Sequence, residues 1–127
     1  MISLSEAEEI HKILIDQFGG SFGIRDKAGL ESALLRPFQT FDGKELYPDI
    51  LSKAASLIES ILGNHPFIDG NKRTGYTLLR IFLINNGFDI SATQSEKYDF
   101  VINIASGKSS FEVILNWLKH HTKQNAS

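Results

Sequence analysis

The sequence predicts an all-α fold, on three observations. Apolar residues recur at helical spacing in several separate segments, and helix-start signals of the Ser/Thr-x-x-Glu kind stand ahead of three of them. No stretch alternates apolar and polar residues long enough to make a central strand. About six helices are expected, in one domain over residues 1–127, because no linker, internal repeat or low-complexity tract divides the chain.

Ser5 and Glu8 read as a capping box, after which Ile10, Ile13, Leu14 and Phe18 form an amphipathic stripe that Gly19-Gly20 ends. Leu30, Ala33 and Leu34 give a shorter second stripe, stopped where Pro37 disfavours helical geometry at Arg36. Pro37 to Pro48 has neither helical period nor a long strand and reads as an extended loop or small flap. From Asp49, apolar residues fall on nearly every side as far as Gly63-Asn64, the pattern of a buried central helix. A second such stretch, Leu78 to Ile84, follows Asn71-Lys72-Arg73-Thr74 and ends at Asn85-Asn86-Gly87. Thr93 with Glu96, and Ser109 with Glu112, open two further helices, the first carrying Tyr98, Val101, Ile102 and Ala105, the second Phe111, Ile114, Leu115 and Leu118. Trp117 and Phe111 are expected in the core, His11 at the surface or a boundary, and the tail after Leu118 frayed.

Composition excludes several function classes. The 127 residues carry 13 basic and 15 acidic side chains, a formal charge of −2. An acidic balance argues against direct nucleic-acid binding, so any phosphate site has to be local. There is no cysteine, hence no disulfide framework, zinc knuckle or thiolate nucleophile. The longest nearly apolar run, Leu78 to Ile84, contains Arg80 and falls far short of the ~20 residues that cross a bilayer. The first residues, Met1-Ile2-Ser3-Leu4-Ser5-Glu6, lack the basic and apolar regions of a secretory signal, so a cytoplasmic location is expected, with no membrane partner.

Chemistry concentrates between the two buried helices, in His65-Pro66-Phe67-Ile68-Asp69-Gly70-Asn71-Lys72-Arg73. One imidazole, one carboxylate, a Gly-Asn pair and two cations meet at the start of a helix, where free N–H groups and the helix dipole favour an anion. From Asn64 to Arg80 the charges are +3 (Lys72, Arg73, Arg80) and −1 (Asp69), so an acidic protein has made this segment basic. Asp69 is a hard oxygen ligand able to share Mg²⁺ with a bound nucleotide, and His65 is the one group here suited to take a proton from a hydroxyl at neutral pH. Taken singly, His65 reads equally as a helix C-cap, Asp69 as an N-cap and Lys72-Arg73 as a solvated first turn. Two cations oppose the dipole of the helix they open, however, so their joint occurrence favours a bound anion.

Other signals carry less. Gly107-Lys108-Ser109 has the end of a phosphate-binding loop, but position 102 is Ile rather than Gly and no strand precedes it. His120-His121 point to different helix faces without a third metal ligand nearby, and Asn125-Ala126-Ser127 matches a glycosylation acceptor by short-motif chance.

The run His65-Pro66-Phe67-Ile68-Asp69-Gly70-Asn71-Lys72-Arg73-Thr74 resembles the signature of the Fic/Doc superfamily, specifically its death-on-curing (Doc) toxin branch. The likeness extends through Gly23-Ile24-Arg25-Asp26, Gly29-Leu30-Glu31-Ser32-Ala33-Leu34, Arg36-Pro37, Tyr47-Pro48, Lys53-Ala54-Ala55 and Ala105-Ser106-Gly107. It implies a compact helical fold, His65 as base toward a protein hydroxyl, and Asp69 as holder of Mg²⁺. It further implies an anion hole shaped by Gly70 and Asn71, nucleotide phosphates on Lys72 and Arg73, and a flap over Pro37 to Tyr47 that aligns the target. AMP-transferring members carry Gly where this chain has Lys72 and a second Arg where it has Tyr76. In the Doc branch that difference goes with transfer of the γ-phosphate of ATP, the implied target being a threonine of elongation factor Tu and the implied consequence arrest of translation. Gly75 stands where Doc-type motifs commonly have Ala, and no Ser/Thr-x-x-x-Glu-Gly/Asn inhibitory segment is present, so restraint is expected from an antitoxin whose disordered segment folds into a groove near the flap.

Overall fold

A computed structural model of the chain describes residues 1–125; the last two residues of the Asn125-Ala126-Ser127 triplet lie outside the described residues. The fold is all-α. Six helices, α1 (Leu4–Phe18), α2 (Lys27–Leu35), α3 (Ile50–Asn64), α4 (Asn71–Asn85), α5 (Gln94–Ala105) and α6 (Phe111–His121), surround one apolar core, with two small antiparallel strand pairs at the periphery.

Helix α3 is the central element, packed against α2, α4, α5 and α6. Its apolar residues all round bury Leu57, Ile58, Ile61 and Leu62, each contributing about 1.5–3 kcal/mol on leaving water. Asp49 caps it by accepting from Ser52 N–H at 2.8 Å while Ser52 Oγ lies 3.3 Å from Asp49 N–H. Helix α4 lies alongside, burying Leu78, Leu79, Phe82 and Leu83. No helix among the described residues is long and apolar enough to cross a membrane.

Several boundaries differ from the sequence expectation for identifiable reasons. The cap of α1 is Ser3, paired reciprocally with Glu6, not Ser5 with Glu8. The earlier start seats Ile2 and Ala7, the residues flanking the cap in a hydrophobic staple, in the core. Ile13 and Phe18 are accordingly exposed, and the face that is buried carries Ala7 and His11. Pro37 ends α2 at Leu35, yet Arg36 keeps right-handed helical geometry and begins a single 3-10 turn, Arg36–Phe38. Helix α6 is capped by Ser110, not Ser109, because the Lys108 and Ser109 N–H groups are taken by Asn103 O at 2.9 and 3.1 Å.

The Pro37–Pro48 segment is a small flap. Strands β1 (Thr40–Phe41) and β2 (Lys44–Glu45) pair across Asp42-Gly43, both residues left-handed, as a two-residue hairpin turn requires. Its base is fixed by Lys53, whose Nζ donates to Glu45 Oε1 at 2.9 Å and to Tyr47 O, and by Arg36, which reaches Tyr47 Oη at 3.0 Å and Glu59 Oε1 at 2.8 Å. Its tip holds Phe41, 76% exposed. From Lys119 to Gln124 the chain is in regular structure rather than frayed: α6 continues to His121, and β4 (Thr122–Gln124) pairs with β3 (Phe88–Ile90). His121 stacks 4.1 Å from Trp117, with Nε2 3.1 Å from Glu96 Oε2, while Trp117 stacks 3.8 Å from Phe100.

Candidate active site

The loop His65–Gly70 joins the C-terminus of α3 to the N-terminus of α4, so both buried helices fix its ends. His65 is the C-cap of α3 in a left-handed conformation, φ 46° and ψ 56°, which for a residue with a Cβ costs about 1 kcal/mol or more. Arg25 stabilises that conformation. Its Nε donates to His65 O at 3.0 Å, and its Nη2 to Asn64 O at 3.2 Å and to His65 O. The imidazole itself is exposed.

The connector after α1 runs beside the loop and clasps it. Arg25 and Asp26 N–H donate to Pro66 O at 2.8 and 3.0 Å, Ile68 N–H donates to Gly23 O at 3.0 Å, and Ile24 bridges Phe67. Phe67 is buried at 1% exposure and anchors the loop in the core. From within the loop, Asn71 closes a ring: Phe67 N–H donates to its Oδ1 and its Nδ2 donates to Phe67 O, both at 2.9 Å. The side chain of Asn71 therefore shapes the loop and leaves its backbone N–H for a ligand.

Asp69 does not cap α4. Its Oδ1 accepts from Gly70 N–H at 2.9 Å and its Oδ2 from Ser21 N–H at 3.1 Å, and the cap is Gly70, which offers no side-chain acceptor. The first-turn N–H groups of α4 are thus open to an anion, with no acidic residue in that turn and with Lys72 and Arg73 beside them. Neither cation has an ion-pair partner among the described residues. Arg73 packs its guanidinium 4.2 Å from the centre of the exposed Phe18 ring. Arg80 does not add to this field, because Asp89 binds it at 3.1 and 3.3 Å and its guanidinium holds the Asp89 carboxyl below the usual carboxylate range.

A carboxylate has about four lone-pair positions, and Asp69 uses two on backbone N–H groups. No group of three or more acidic, His or Cys side chains assembles among the described residues. Asp69 alone is too poor a donor set for a metal, but it fits Mg²⁺ in its usual mode, with one carboxylate and the remaining ligands from water and substrate phosphates.

His11, expected at the surface, is fully buried. Its Nδ1 lies 3.0 Å from Thr74 Oγ1, its ring stacks 4.0 Å from Phe67, and its Nε2 has no hydrogen-bond partner among the described residues. The signal for it was present, since position 11 shares the helix face of Ala7 and Leu14. Gly20, read only as part of a helix stop, sits at φ +111° where a Cβ would come 2.6 Å from Asp69 Oδ2. The positive φ favours glycine there, and the missing Cβ leaves room for Asp69 against the connector. Arg25 and Phe18 carried no chemical signal of their own in the sequence, because their partners lie tens of residues away.

A family model described as Fic/DOC family matches residues 1–83, from α1 through the loop and most of α4. Toxin Doc of Mycolicibacterium smegmatis is 41% identical over 75 residues, 59% of this chain and 58% of that protein. Protein kinase doc of Escherichia phage P1 is 27% identical over 118 residues, 93% of this chain and 92% of that protein. The chain thus spans less than two thirds of the first relative's length and nearly all of the second's.

Proposed function

The chain belongs to the Fic/DOC family, and on that premise we propose that it is a Doc-type toxin that transfers the γ-phosphate of ATP to a hydroxyl group of a target protein. The observation that carries this reading is the first turn of α4, uncapped by any side chain and flanked by unpaired Lys72 and Arg73. A Lys at position 72 places a flexible point charge where glycine would let the backbone close on the phosphates, which favours phosphate over AMP transfer. The names of the relatives, a toxin and a protein kinase, point the same way.

In this mechanism His65, exposed at the head of the loop, takes the proton of the target hydroxyl as its oxygen forms a bond to the γ-phosphorus. The bond from the γ-phosphorus to the β-bridging oxygen breaks, and ADP leaves. Lys72, Arg73 and the N–H groups opening α4 stabilise the charge on the phosphoryl oxygens, and positioning supplies most of the remaining acceleration. Asp69 would hold Mg²⁺, which when bound neutralises phosphate charge. Gly70 and Asn71 keep the anion hole open, and the flap with its exposed Phe41 aligns the target segment. A threonine of elongation factor Tu is the proposed acceptor, with arrest of translation as the consequence, and an antitoxin segment that folds onto the groove near the flap is the proposed restraint.

The test is the mass of elongation factor Tu after incubation with the protein, ATP and Mg²⁺, with His65→Ala as control. A gain of one phosphate that the control loses is expected. A gain of AMP would assign the chemistry to nucleotidyl transfer, and an unchanged mass would remove this target.

A further inference from the structure

Of the four arginines in the chain, three give their donors to oxygen acceptors. Arg25 donates to His65 O and Asn64 O, Arg36 to Tyr47 Oη, Ser60 Oγ and Glu59 Oε1, and Arg80 to both carboxylate oxygens of Asp89. Arg73 is different. Its side chain makes no hydrogen bond or ion pair among the described residues, and what it meets instead is the Phe18 ring, with the guanidinium carbon 4.2 Å from the ring centre. The sequence pattern places Phe18 on the apolar stripe of α1, yet as the last residue of that helix it is 59% exposed.

We propose that Phe18 is a positioning residue, whose ring holds the Arg73 guanidinium at the start of α4 with its donors free for an anion. The inference rests on the nucleotide reading of the α4 terminus given above. A carboxylate in the place of Phe18 would fix Arg73 equally well, but it would occupy the guanidinium fork and neutralise the charge. An aromatic ring attracts the cation through its face and has no lone pair to accept a hydrogen bond, so it fixes the group and consumes none of its five N–H donors. A side chain already held in place loses less rotamer freedom when a ligand binds, which is where the gain in affinity arises. Helix α1 has no basic residue in its last turn, and the guanidinium resting on its final residue supplies the positive charge that a helix C-terminus favours. The same end of α1 serves the other charged group of the site: Gly20 leaves room for Asp69, and Ser21 N–H donates to Asp69 Oδ2 at 3.1 Å. Residues 18–21 therefore set where the carboxylate and the guanidinium stand relative to each other. Lys72 has no ring or acid beside it among the described residues, so of the two cations Arg73 is the one held ready.

The experiment uses the full chain in two measurements, one of which needs no ligand. In NMR spectra of the arginine side chains, the Arg73 Nε–H and Cδ protons are expected upfield of those of a solvated arginine, displaced by the ring current of Phe18. Phe18→Leu is expected to abolish that displacement and Phe18→Tyr to keep it. In calorimetric titration with ATP and Mg²⁺, Phe18→Leu is expected to weaken binding about threefold, Phe18→Tyr to restore it, and Phe18→Leu to have no further effect in a chain that already carries Arg73→Ala. Arg73 resonances that are the same in the unaltered chain and in Phe18→Leu, or an equal loss of affinity with and without Arg73, would overturn the role of Phe18 and leave the nucleotide reading standing. An unaltered chain that shows the displaced resonances and binds no ATP would overturn the nucleotide reading, and with it the ligand for which Phe18 prepares the guanidinium.

Discussion

His11 is fully buried, with one ring nitrogen beside Thr74 Oγ1 and the other without a hydrogen-bond partner among the described residues. Charging the ring would add an unpaired N–H to the desolvation already present, so burial, opposed by the charge of Asp69, pushes its pKa down from 6.5. The sign of the stability effect follows. Above about pH 6.5 His11 is neutral folded and unfolded; below that, the unfolded chain binds the proton first, and stability falls until the depressed folded value is passed. The lowered carboxyls of Glu6, Asp89 and Glu96, held down by Ser3, Arg80 and Thr93 respectively, lose their contributions only at more acidic pH. Thermal unfolding between pH 7.5 and 5.0 is therefore expected to show a Tm decline beginning near pH 6.5 in the unaltered chain that is reduced in His11→Gln. Parallel curves for the two proteins would show that His11 does not titrate in this window.

At the scale of elements, the contact between α3 and α4 sets the width of the site, and Gly75 sets that contact. A Cβ there would stand 2.9 Å from Leu62 Cδ2 and 3.1 Å from Ile61 Cγ2, both on fully buried residues. Gly75→Ala gains up to ~1 kcal/mol of helix propensity but overpacks the interface at a cost of about 1–3 kcal/mol. The expected net result is destabilisation by about 1 kcal/mol, read as a lower denaturation midpoint with an unchanged slope. A raised midpoint would mean that Leu62 swings aside freely. The sequence alone carries only the propensity half of this balance. The same limit explains which caps were legible. Thr93 with Glu96 is correct as read, whereas Ser3 and Ser5 both satisfy the capping pattern and only the burial of Ile2 and Ala7 decides between them. Within the site, residues 65–73 are contiguous and could be read directly. Their clasp, from Ser21 to Asp69 and from Arg25 to His65, spans 48 and 40 residues, and nothing in local pattern encodes pairings of that range.

Over the whole molecule, a net charge of −2 still leaves two adjacent cations without an ion pair at an open helix end. Arg36, Lys53 and Arg80 are spent on Glu59, Glu45 and Asp89, while Lys72 and Arg73 face no acid among the described residues. The loop they border is tied to α1, to the connector and Asp26 cap that precede α2, and to the ends of α3 and α4, so a ligand bound there stabilises the entire fold rather than one segment. Asp69 offers a metal only one side chain, and the metal's remaining ligands have to come from phosphates and water. Mg²⁺ and ATP are consequently expected to act on stability as a pair. Millimolar Mg²⁺ alone should leave Tm within about 1 °C, because a site with one carboxylate binds too weakly to shift the equilibrium. Mg²⁺ with ATP at a hundred times its Kd should add about 2.7 kcal/mol, or roughly 10 °C for a domain of this size. ATP with a chelator should give only the smaller part that Lys72, Arg73 and the α4 N–H groups supply, and in Asp69→Asn the response to ATP should become nearly independent of Mg²⁺. A full shift from Mg²⁺ alone, or the same shift with ATP whether or not the metal is chelated, would show that Asp69 and the nucleotide do not share an ion.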